Sequence, residues 1–249
     1  MNTIEYGQGA VNNTIGWGQG AKVGGSSFSN LKSIALDGVD DYVDCGDLSS
    51  LSSATEFSVS LWFRKTSTSN RMILDFKDGT SRIAIQLYSP TQIYIYINGV
   101  NGLFPVSTSS NTWYHLSYVF NGSGAADSDK LKFYINGLEV TATSYSTNVP
   151  TSLGVLTSSM VSNLGALFNN TLTFRGNLDE VSVFNTELSA SAVTTIYNSG
   201  APNDISSLSP LSWWRCGDGD TAPTLTDNGS GGNNGTMTNF STFSTDVPT

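Results

Sequence analysis

The sequence predicts an all-β protein, a sandwich or barrel of antiparallel strands accompanied by one short helix. Between residues 31 and 184, short runs of alternating apolar and polar residues are separated by turn residues, which is typical of half-buried strands. The pairs Asn98-Gly99 and Asn136-Gly137 are strong signals for two-residue hairpin turns. Many short strands at this spacing indicate an all-β fold.

The strand pattern is clearest where alternate residues differ in polarity. In Phe57–Phe63 the odd-numbered positions are apolar, so one face of this strand is expected to be buried. In Gln92–Ile97 the isoleucines share one face, and Tyr94 and Tyr96 share the other. In chain order the predicted strands are Ile34–Leu36, Tyr42–Cys45, Phe57–Phe63, Arg71–Phe76, Arg82–Tyr88, Gln92–Ile97, Trp113–Phe120, Lys130–Ile135 and Asp179–Phe184.

One helix is predicted after the last of these strands. Ser189 can cap its N-terminus, and Val193 and Ile196 fall at helical spacing. Gly200 can end the helix, and Pro202 cannot continue it. We expect this helix to close one edge or end of the sheets.

The last fifty residues have a different composition. Leu208–Arg215 reads as a further strand, whereas Thr221–Thr249 is rich in Gly, Asn, Ser and Thr and is a loop by composition.

Composition excludes several functional classes. The chain has 249 residues, a formal net charge of −9 and only 12% charged residues, about half the usual roughly 25%. This charge argues against binding to nucleic acid or anionic membranes, because phosphate groups would repel the protein. A single histidine, His115, excludes multi-histidine metal sites, and two cysteines, Cys45 and Cys216, exclude a disulfide-dense scaffold.

The N-terminus contains a short repeat. Ile4–Ala10 recurs as Ile15–Ala21, so Tyr6 and Gln8 in the first copy correspond to Trp17 and Gln19 in the second. One interpretation is a flexible Gly-rich leader, and the other is an assembly segment, residues 1–24, that packs on another protein. These residues lack the charged start and apolar stretch of a secretory signal, and no run of 18 apolar residues predicts membrane insertion. If the chain is complete, we expect no export by the usual route.

Five segments followed by the predicted helix resemble, in order, the laminin-G-like, concanavalin A-like jelly-roll domains. The segments are Ile34–Val43, Phe57–Phe63, Asn111–Leu116, Leu131–Gly137 and Phe174–Val181, and the match covers roughly residues 31–200. The resemblance implies a two-sheet antiparallel jelly-roll sandwich, which we expect to span residues 25–249. In many members, segments similar to Trp213–Asp218 and Thr226–Thr236 open the fold, so residues 208–249 are predicted to be circularly permuted. The alternative is the truncated start of a second domain.

The resemblance also implies a structural calcium ion. Its expected ligands are Asp179, in the Leu-Asp-Glu-Val motif, and oxygens of Asp37, Gly38, Asp40 and Asp41. Calcium prefers hard oxygen ligands such as carboxylates and backbone carbonyls. The alternative is that Asp37 and Asp40 are turn residues whose side chains accept hydrogen bonds from nearby backbone groups.

Catalysis is not expected. Glycosidases of this shape use two carboxylates across a cleft, and none of the five glutamates forms the alternating acidic pattern that such a pair requires. Asp179 and Glu180 are adjacent and are expected on opposite faces of a strand. We expect His115 to be structural. If the permutation holds, Cys45 and Cys216 could lie close together and form a disulfide, but we favour two buried, reduced cysteines.

A saccharide site is the remaining candidate for the sandwich. Tyr94 and Tyr96 can offer aromatic surfaces to sugar rings, with polar neighbours for the hydroxyl groups. The alternative is that these tyrosines only cover the sheet.

Two functional classes remain. The N-terminal repeat is similar to leaders of virion structural proteins of marine bacterial viruses, which favours a non-catalytic virion surface protein, of capsid decoration or fibre type. Such a protein would bind other virion or capsid proteins through residues 1–24 and display the sandwich for attachment to host glycans. The alternative is a secreted carbohydrate-binding or adhesion module at the cell surface. Homo-oligomers are compatible with both, and a glycosidase remnant is a weaker third class.

Overall fold

A computed structural model describes residues 28–67 and 70–249, so the predicted assembly segment with Tyr6, Gln8, Trp17 and Gln19 lies outside the described residues. The first strands are β1 (Ser33–Asp37), β2 (Tyr42–Asp44), β3 (Glu56–Lys65), β4 (Arg71–Asp78), β5 (Ser81–Ser89), β6 (Gln92–Ile97), β7 (Val100–Phe104) and β8 (Trp113–Asn121). Those that follow are β9 (Leu131–Ile135), β10 (Leu138–Val140), β11 (Ser144–Tyr145), β12 (Val161–Leu164), β13 (Arg175–Phe184), β14 (Ser212–Trp214), β15 (Thr224–Leu225), β16 (Gly235–Thr238) and β17 (Phe243–Ser244). The α-helices are α1 (Asp127–Lys130) and α2 (Ala190–Tyr197).

The strands form two antiparallel sheets. One has eight strands in the order β10-β9-β8-β3-β13-β1-β17, with β14 also pairing with β13. The other has nine strands in the order β11-β7-β6-β5-β4-β12-β2-β16-β15. This arrangement confirms the predicted two-sheet jelly-roll sandwich.

A single hydrophobic core fills the space between the sheets. Alternate residues of β3 and β8, such as Phe57 and Tyr118, face it from the eight-stranded sheet. Ile85 and Ile95 of β5 and β6 face it from the nine-stranded sheet, and these four side chains have no exposed surface. The period-two pattern of the sequence therefore separates core positions from outward positions, as predicted.

Both predicted Asn-Gly turns are present. Asn98 and Gly99 have φ values of 48° and 83° where β6 turns into β7, and Asn136 and Gly137 have 50° and 76° where β9 turns into β10. Positive φ at both central positions is the geometry that joins tightly paired antiparallel strands, and Asn and Gly adopt it at low cost.

Helix α2 covers the outer face of the eight-stranded sheet, not an edge or end of the sheets as expected. The Ser189 hydroxyl accepts a hydrogen bond from the Ala192 backbone, so the predicted N-cap is confirmed. Val193 and Ile196 pack in a second cluster with Val119 of the eight-stranded sheet, because these apolar side chains need a sheet surface to leave water. Among the described residues, no helix combines the length and apolar character needed to cross a membrane.

The C-terminal segment belongs to the sandwich. β14 pairs with β13 and β17 with β1, while β16 pairs with β2 in the opposite sheet. Trp214, which has no exposed surface, contributes to the main core, and its Nε1 donates to the Asn233 carbonyl at 2.7 Å. The residues read as a loop by composition thus contain three short strands. The circular permutation of residues 208–249 relative to similar domains stays a prediction.

Candidate functional site

The outer face of the nine-stranded sheet carries a group of three tyrosines, which we call the tyrosine platform: Tyr88, Tyr94 and Tyr96. Tyr94 and Tyr96 alternate along β6 with isoleucines of the core, so their rings point away from it and are half-buried. Tyr88, at the end of β5, is 43% exposed. The ring centroids of Tyr88 and Tyr94 are 4.4 Å apart, and those of Tyr94 and Tyr96 are 5.8 Å apart.

Polar side chains hold the platform in place. The Tyr96 hydroxyl donates to Gln86 Oε1 at 2.6 Å, and Gln86 Nε2 donates to Asn70 Oδ1 at 2.6 Å. The Arg82 guanidinium lies 4.8 Å from the centroid of the Tyr96 ring. Burial raises the pKa of Tyr96, and the charge of Arg82 partly opposes that shift. The platform therefore combines aromatic surface with fixed hydrogen-bonding groups.

The sequence prediction named Tyr94 and Tyr96 for this role but omitted Tyr88, Arg82 and Gln86. The alternation along β5 places these three on the outward face, because Ile83, Ile85 and Leu87 face the core. That alternation was readable from the sequence, whereas the pairing that sets Gln86 opposite Tyr94 and Ala84 opposite Tyr96 was not.

Three of the predicted metal-binding residues come together in the loop between β1 and β2. One carboxylate oxygen from each of Asp37, Asp40 and Asp41 lies within 4.8 Å of the others. The Asp37 carboxylate also accepts from the Val39 backbone at 2.7 Å, and the Asp41 carboxylate accepts from the Asp37 backbone at 2.9 Å. Burial, together with the neighbouring acids, raises the pKa of Asp41. The loop thus shows the hydrogen bond of the turn alternative at Asp37 but, among the described residues, none at the Asp40 side chain, and it holds a set of hard oxygen donors that fits a divalent cation.

The other two predicted ligands behave differently. The carbonyl of Gly38 accepts from the Thr173 hydroxyl at 2.8 Å. Asp179 is not part of the acidic loop: Asp37 pairs with Arg175, four residues away along β13. Four residues of a strand span about 13 Å, which is too far for a single ion to be held by both groups. The expectation of one site built from Asp179 and Asp37–Asp41 is therefore wrong.

Asp179 lies instead in a buried polar cluster on the outer side of β13. The ladder is irregular between Asp179 and Ser182, and Glu180 has a φ of 45°. Leu178 and Val181, on either side of the two acids in the chain, both face the core. The bulge therefore lets Asp179 and Glu180 share the outer face, not opposite faces as simple alternation predicts. No sequence pattern indicates a positive φ at a glutamate, so this bulge could not be predicted from the sequence.

Each acid of this cluster has its own partners. Asp179 accepts from Asn30 Nδ2 at 2.9 Å and from the Glu180 backbone at 2.9 Å. Glu180 accepts from Trp213 Nε1 at 2.6 Å and from Arg215 Nε at 3.1 Å. Burial raises the pKa of Glu180 to about 7 against the opposing effect of Arg215, and burial and the charge of Glu180 raise the pKa of Asp179 well above its usual value. The cluster ties the segments around Asn30 and Arg215 to β13.

A surface pocket of about 390 Å³ lies beside this cluster and is lined in part by Phe28, Trp213 and Arg215. The Phe28 and Trp213 rings are stacked with centroids 6.4 Å apart, and the Arg215 guanidinium lies 4.3 Å from the Phe28 centroid. Trp213 is only 5% exposed. The aromatic faces of this pocket are therefore occupied by the protein's own side chains.

His115 lies under helix α2 and is fully buried. Ser60 Oγ lies 2.8 Å from His115 Nε2 and 3.0 Å from Ser117 Oγ, and the Trp62 and Tyr197 rings cover the imidazole. Its Nδ1 has no hydrogen-bond partner among the described residues. Burial lowers the pKa of His115 to about 3, so the ring is neutral. No substrate can reach this serine–histidine pair, which agrees with a structural role. Cys45 and Cys216 are likewise buried, as free thiols.

Comparisons with known proteins agree with the architecture. The family model of the concanavalin A-like lectin/glucanases superfamily matches residues 37–194. No curated protein matches the sequence significantly. A putative carbohydrate binding protein from Bacteroides ovatus is similar in structure with a TM-score of 0.65 and 15% identity, over 89% of this chain and 62% of that one.

A second solved structure is more distant. The heptameric SAP-like pentraxin from Limulus polyphemus has a TM-score of 0.50 and 14% identity, over 68% of this chain and 82% of that one. At these identities both likenesses show the fold alone.

The burial of His115 predicts a pH dependence of stability. Below pH about 6.5 the unfolded chain binds a proton at this histidine, whereas the folded chain does not until the pH approaches 3. The stability that neutral His115 contributes is therefore complete above pH about 6.5 and is lost as the pH falls. Between pH 7 and 4.5 the wild type should lose roughly 2 to 3 kcal/mol more unfolding free energy than His115→Gln.

Urea denaturation at the two pH values measures this difference. Ser117→Ala is the matched control, because it alters the same hydrogen-bonded group without removing the titrating ring, and it should keep the wild-type pH dependence. An equal loss in His115→Gln and wild type would contradict the assignment.

Proposed function

Because this chain belongs to the concanavalin A-like lectin/glucanase superfamily, we propose that it is a non-catalytic saccharide-binding module. The observation that carries the proposal is the tyrosine platform on the outer face of the nine-stranded sheet. Helix α2 covers the outer face of the opposite sheet, so the two outer faces differ in their access to a ligand.

The chemistry of the platform supports a sugar ligand. A sugar ring has apolar C–H faces that pack on aromatic rings and hydroxyl groups that need directed hydrogen bonds. Tyr88 and Tyr94 supply exposed or half-buried rings, and the Arg82 guanidinium lies beside Tyr96 with polar groups. Gln86 is buried and holds the Tyr96 hydroxyl in place. The hydrogen bonds from Tyr96 to Gln86 and from Gln86 to Asn70 fix these groups before a ligand binds, which lowers the entropy cost of association.

The absence of catalysis is part of this proposal. A glycosidase needs two carboxyl groups that flank an accessible bond. The adjacent acids Asp179 and Glu180 are buried and already hydrogen-bonded to Asn30, Trp213 and Arg215. The Ser60–His115 pair is also closed to solvent.

A virion role for this module is a finer proposal that rests on the sequence repeat. The paired copies Ile4–Ala10 and Ile15–Ala21 support docking of residues 1–24 on other virion proteins, with the sandwich displayed for attachment to host glycans. A secreted module at a cell surface is about equally consistent with the fold. Both locations place the platform outside the cell.

A structural calcium ion in the loop between β1 and β2 completes the proposal. Asp37, Asp40 and Asp41 would hold it through carboxylate oxygens, and the ion would offset the repulsion of three nearby negative charges. This loop joins strands of the two sheets, since β1 lies in one and β2 in the other. Calcium would therefore stabilise the connection between the layers without taking part in chemistry.

Removal of a platform ring tests the saccharide proposal. Tyr94→Ala should weaken binding of an array-selected saccharide at least about tenfold, because stacking residues at the centre of an interface carry much of the binding energy. Isothermal titration calorimetry measures the affinity, and thermal melting should show an intact fold, since Tyr94 lies outside the core.

Trp113→Ala is the matched control for this experiment. Trp113 is also a half-buried aromatic residue, but it lies on β8 and donates to Asp246 at 2.9 Å. The Trp113→Ala variant should bind the saccharide with the affinity of the wild type. A glycan array without hits, or unchanged affinity in Tyr94→Ala, would contradict the proposal.

The calcium proposal predicts a change in thermal stability. Millimolar calcium should raise the wild-type melting temperature and excess EDTA should lower it, because an ion that binds only the folded state stabilises that state. Asp40→Asn should abolish the response. Asp44→Asn, which removes an exposed acid outside the loop, should retain it. A wild-type melting temperature that responds to neither reagent would argue against the site.

A further inference from the structure

Two cation–aromatic contacts lie side by side on the open face of the nine-stranded sheet. Lys77 Nζ lies 4.2 Å from the centroid of Phe168, just as the Arg82 guanidinium lies against Tyr96. Lys77 on β4 and Arg82 on β5 are register partners. Tyr96, Arg82, Lys77 and Phe168 therefore form one continuous surface, which we call the basic strip. It crosses from β6 to β4, about 10 Å at the usual strand spacing.

The basic strip is held by a buried carboxylate. Asp75, which has no exposed surface, accepts from Arg82 Nε at 2.6 Å through one oxygen. Its other oxygen accepts from the Phe168 backbone at 2.9 Å. Asn163 Nδ2 donates to the Leu167 carbonyl at 3.1 Å in the same segment. One buried acid thus orients the guanidinium and anchors the loop that carries Phe168, which is 39% exposed.

Arg82 keeps binding capacity despite its bond to Asp75. That bond uses Nε, and the two terminal nitrogens have no partner among the described residues. Stacking on Tyr96 fixes the plane of the guanidinium, and a planar guanidinium with free terminal nitrogens matches the two oxygens of a carboxylate.

The charge of the strip contrasts with that of the chain. The protein carries a net charge of −9, yet the strip holds two cations and one acid, Asp75, that is already paired. Lys77 forms no ion pair within the described part of the chain. Asp78, next to Lys77 in the chain, interacts with the charge of Lys77, and its carboxylate accepts hydrogen bonds from Thr157. Asp44 lies in the cross-strand row of Asp75, and β12 separates it from β4. The strip thus presents two cations whose neighbouring acids, Asp75 and Asp78, already accept hydrogen bonds within the protein, and an added anion would complement these cations.

We propose that the saccharide bound on this face is acidic, with a carboxylate on its sugar rings. Arg82 pairs with the carboxylate, Lys77 adds a second positive charge, and the rings of Tyr94 and Phe168 contact the sugars on either side. The length of the strip suits a short oligosaccharide. This inference rests on the proposed function and adds the chemical class of the ligand.

Matched pairs of acidic and neutral saccharides test the inference. The probes are oligogalacturonate with its methyl ester, and sialyllactose with lactose, measured by calorimetry in low and high salt. In at least one pair the acidic member should bind about tenfold or more tighter at low salt, and high salt should reduce the difference, because salt screens exposed charges. No preference for the acidic member in any pair, including no binding at all, would overturn the inference.

A sulfated probe distinguishes the type of anion. Dextran sulfate, compared with dextran, offers anionic groups without carboxylates. If it binds more tightly than every carboxylated probe, the assignment of a carboxylate to Arg82 is overturned. Neutral saccharides that bind through Tyr94 without any charge preference would leave the proposed function standing and remove only this inference.

Two variants connect the preference to the strip. Arg82→Lys keeps a positive charge beside Asp75, so the fold is preserved, but it lacks the planar fork. It should weaken the acidic ligand about tenfold and a neutral ligand by a clearly smaller factor, because a neutral ligand has no carboxylate for the fork to hold. Lys77→Gln should weaken the acidic ligand severalfold and flatten its salt dependence. Lys132→Gln is the control, because Lys132 pairs with Glu187 at 2.9 Å on the opposite sheet. Equal losses for acidic and neutral ligands in Arg82→Lys would contradict the role of Arg82.

Discussion

The packing of isoleucines from β5 and β6 between the two sheets is the constraint on which the rest of the structure depends. Ile93, Ile95 and Ile97 have no exposed surface, and burial of each such side chain contributes about 1.5 to 3 kcal/mol. Because side chains alternate along a strand, a slip of one residue would exchange these isoleucines with Tyr94 and Tyr96. The Asn98-Gly99 turn fixes the same register at the end of β6. The outward position of the tyrosines is therefore a consequence of core packing.

The two sheets use their outer faces differently, and this asymmetry positions the candidate site. The eight-stranded sheet buries its outer face beneath helix α2, where His115 and its serine partners are sealed. The nine-stranded sheet leaves Tyr88 and Phe168 exposed. On the same face, Lys77 lies over the Phe168 ring and Arg82 over the Tyr96 ring. Buried acids support both arrangements: Glu180 pairs with Arg215 on one side, and Asp75 with Arg82 on the other.

Local patterns explain which features could be predicted from the sequence. The alternation in Phe57–Phe63 and Gln92–Ile97, the two Asn-Gly turns and the Ser189 cap all act over a few residues, so the sequence indicates them directly. The bulge at Glu180 could not be predicted, because its positive φ has no local signal and the residues that bind the Glu180 side chain, Trp213 and Arg215, lie far along the chain. The same limit applies to Phe168, whose position depends on Asp75, 93 residues away. Residues near each other in sequence, such as Asp37–Asp41, were grouped correctly, whereas Asp179 was not.

The central claim is that the outer face of the nine-stranded sheet is a preformed saccharide-binding surface. Amide chemical-shift mapping of the ¹⁵N-labelled protein, titrated with an array-selected saccharide, tests it most directly. The account predicts shift changes confined to β4, β5, β6 and residues 165–172, with little change elsewhere. Changes centred on the loop of Asp37–Asp41 or on the pocket beside Phe28 and Trp213, with none near Tyr94, would contradict it.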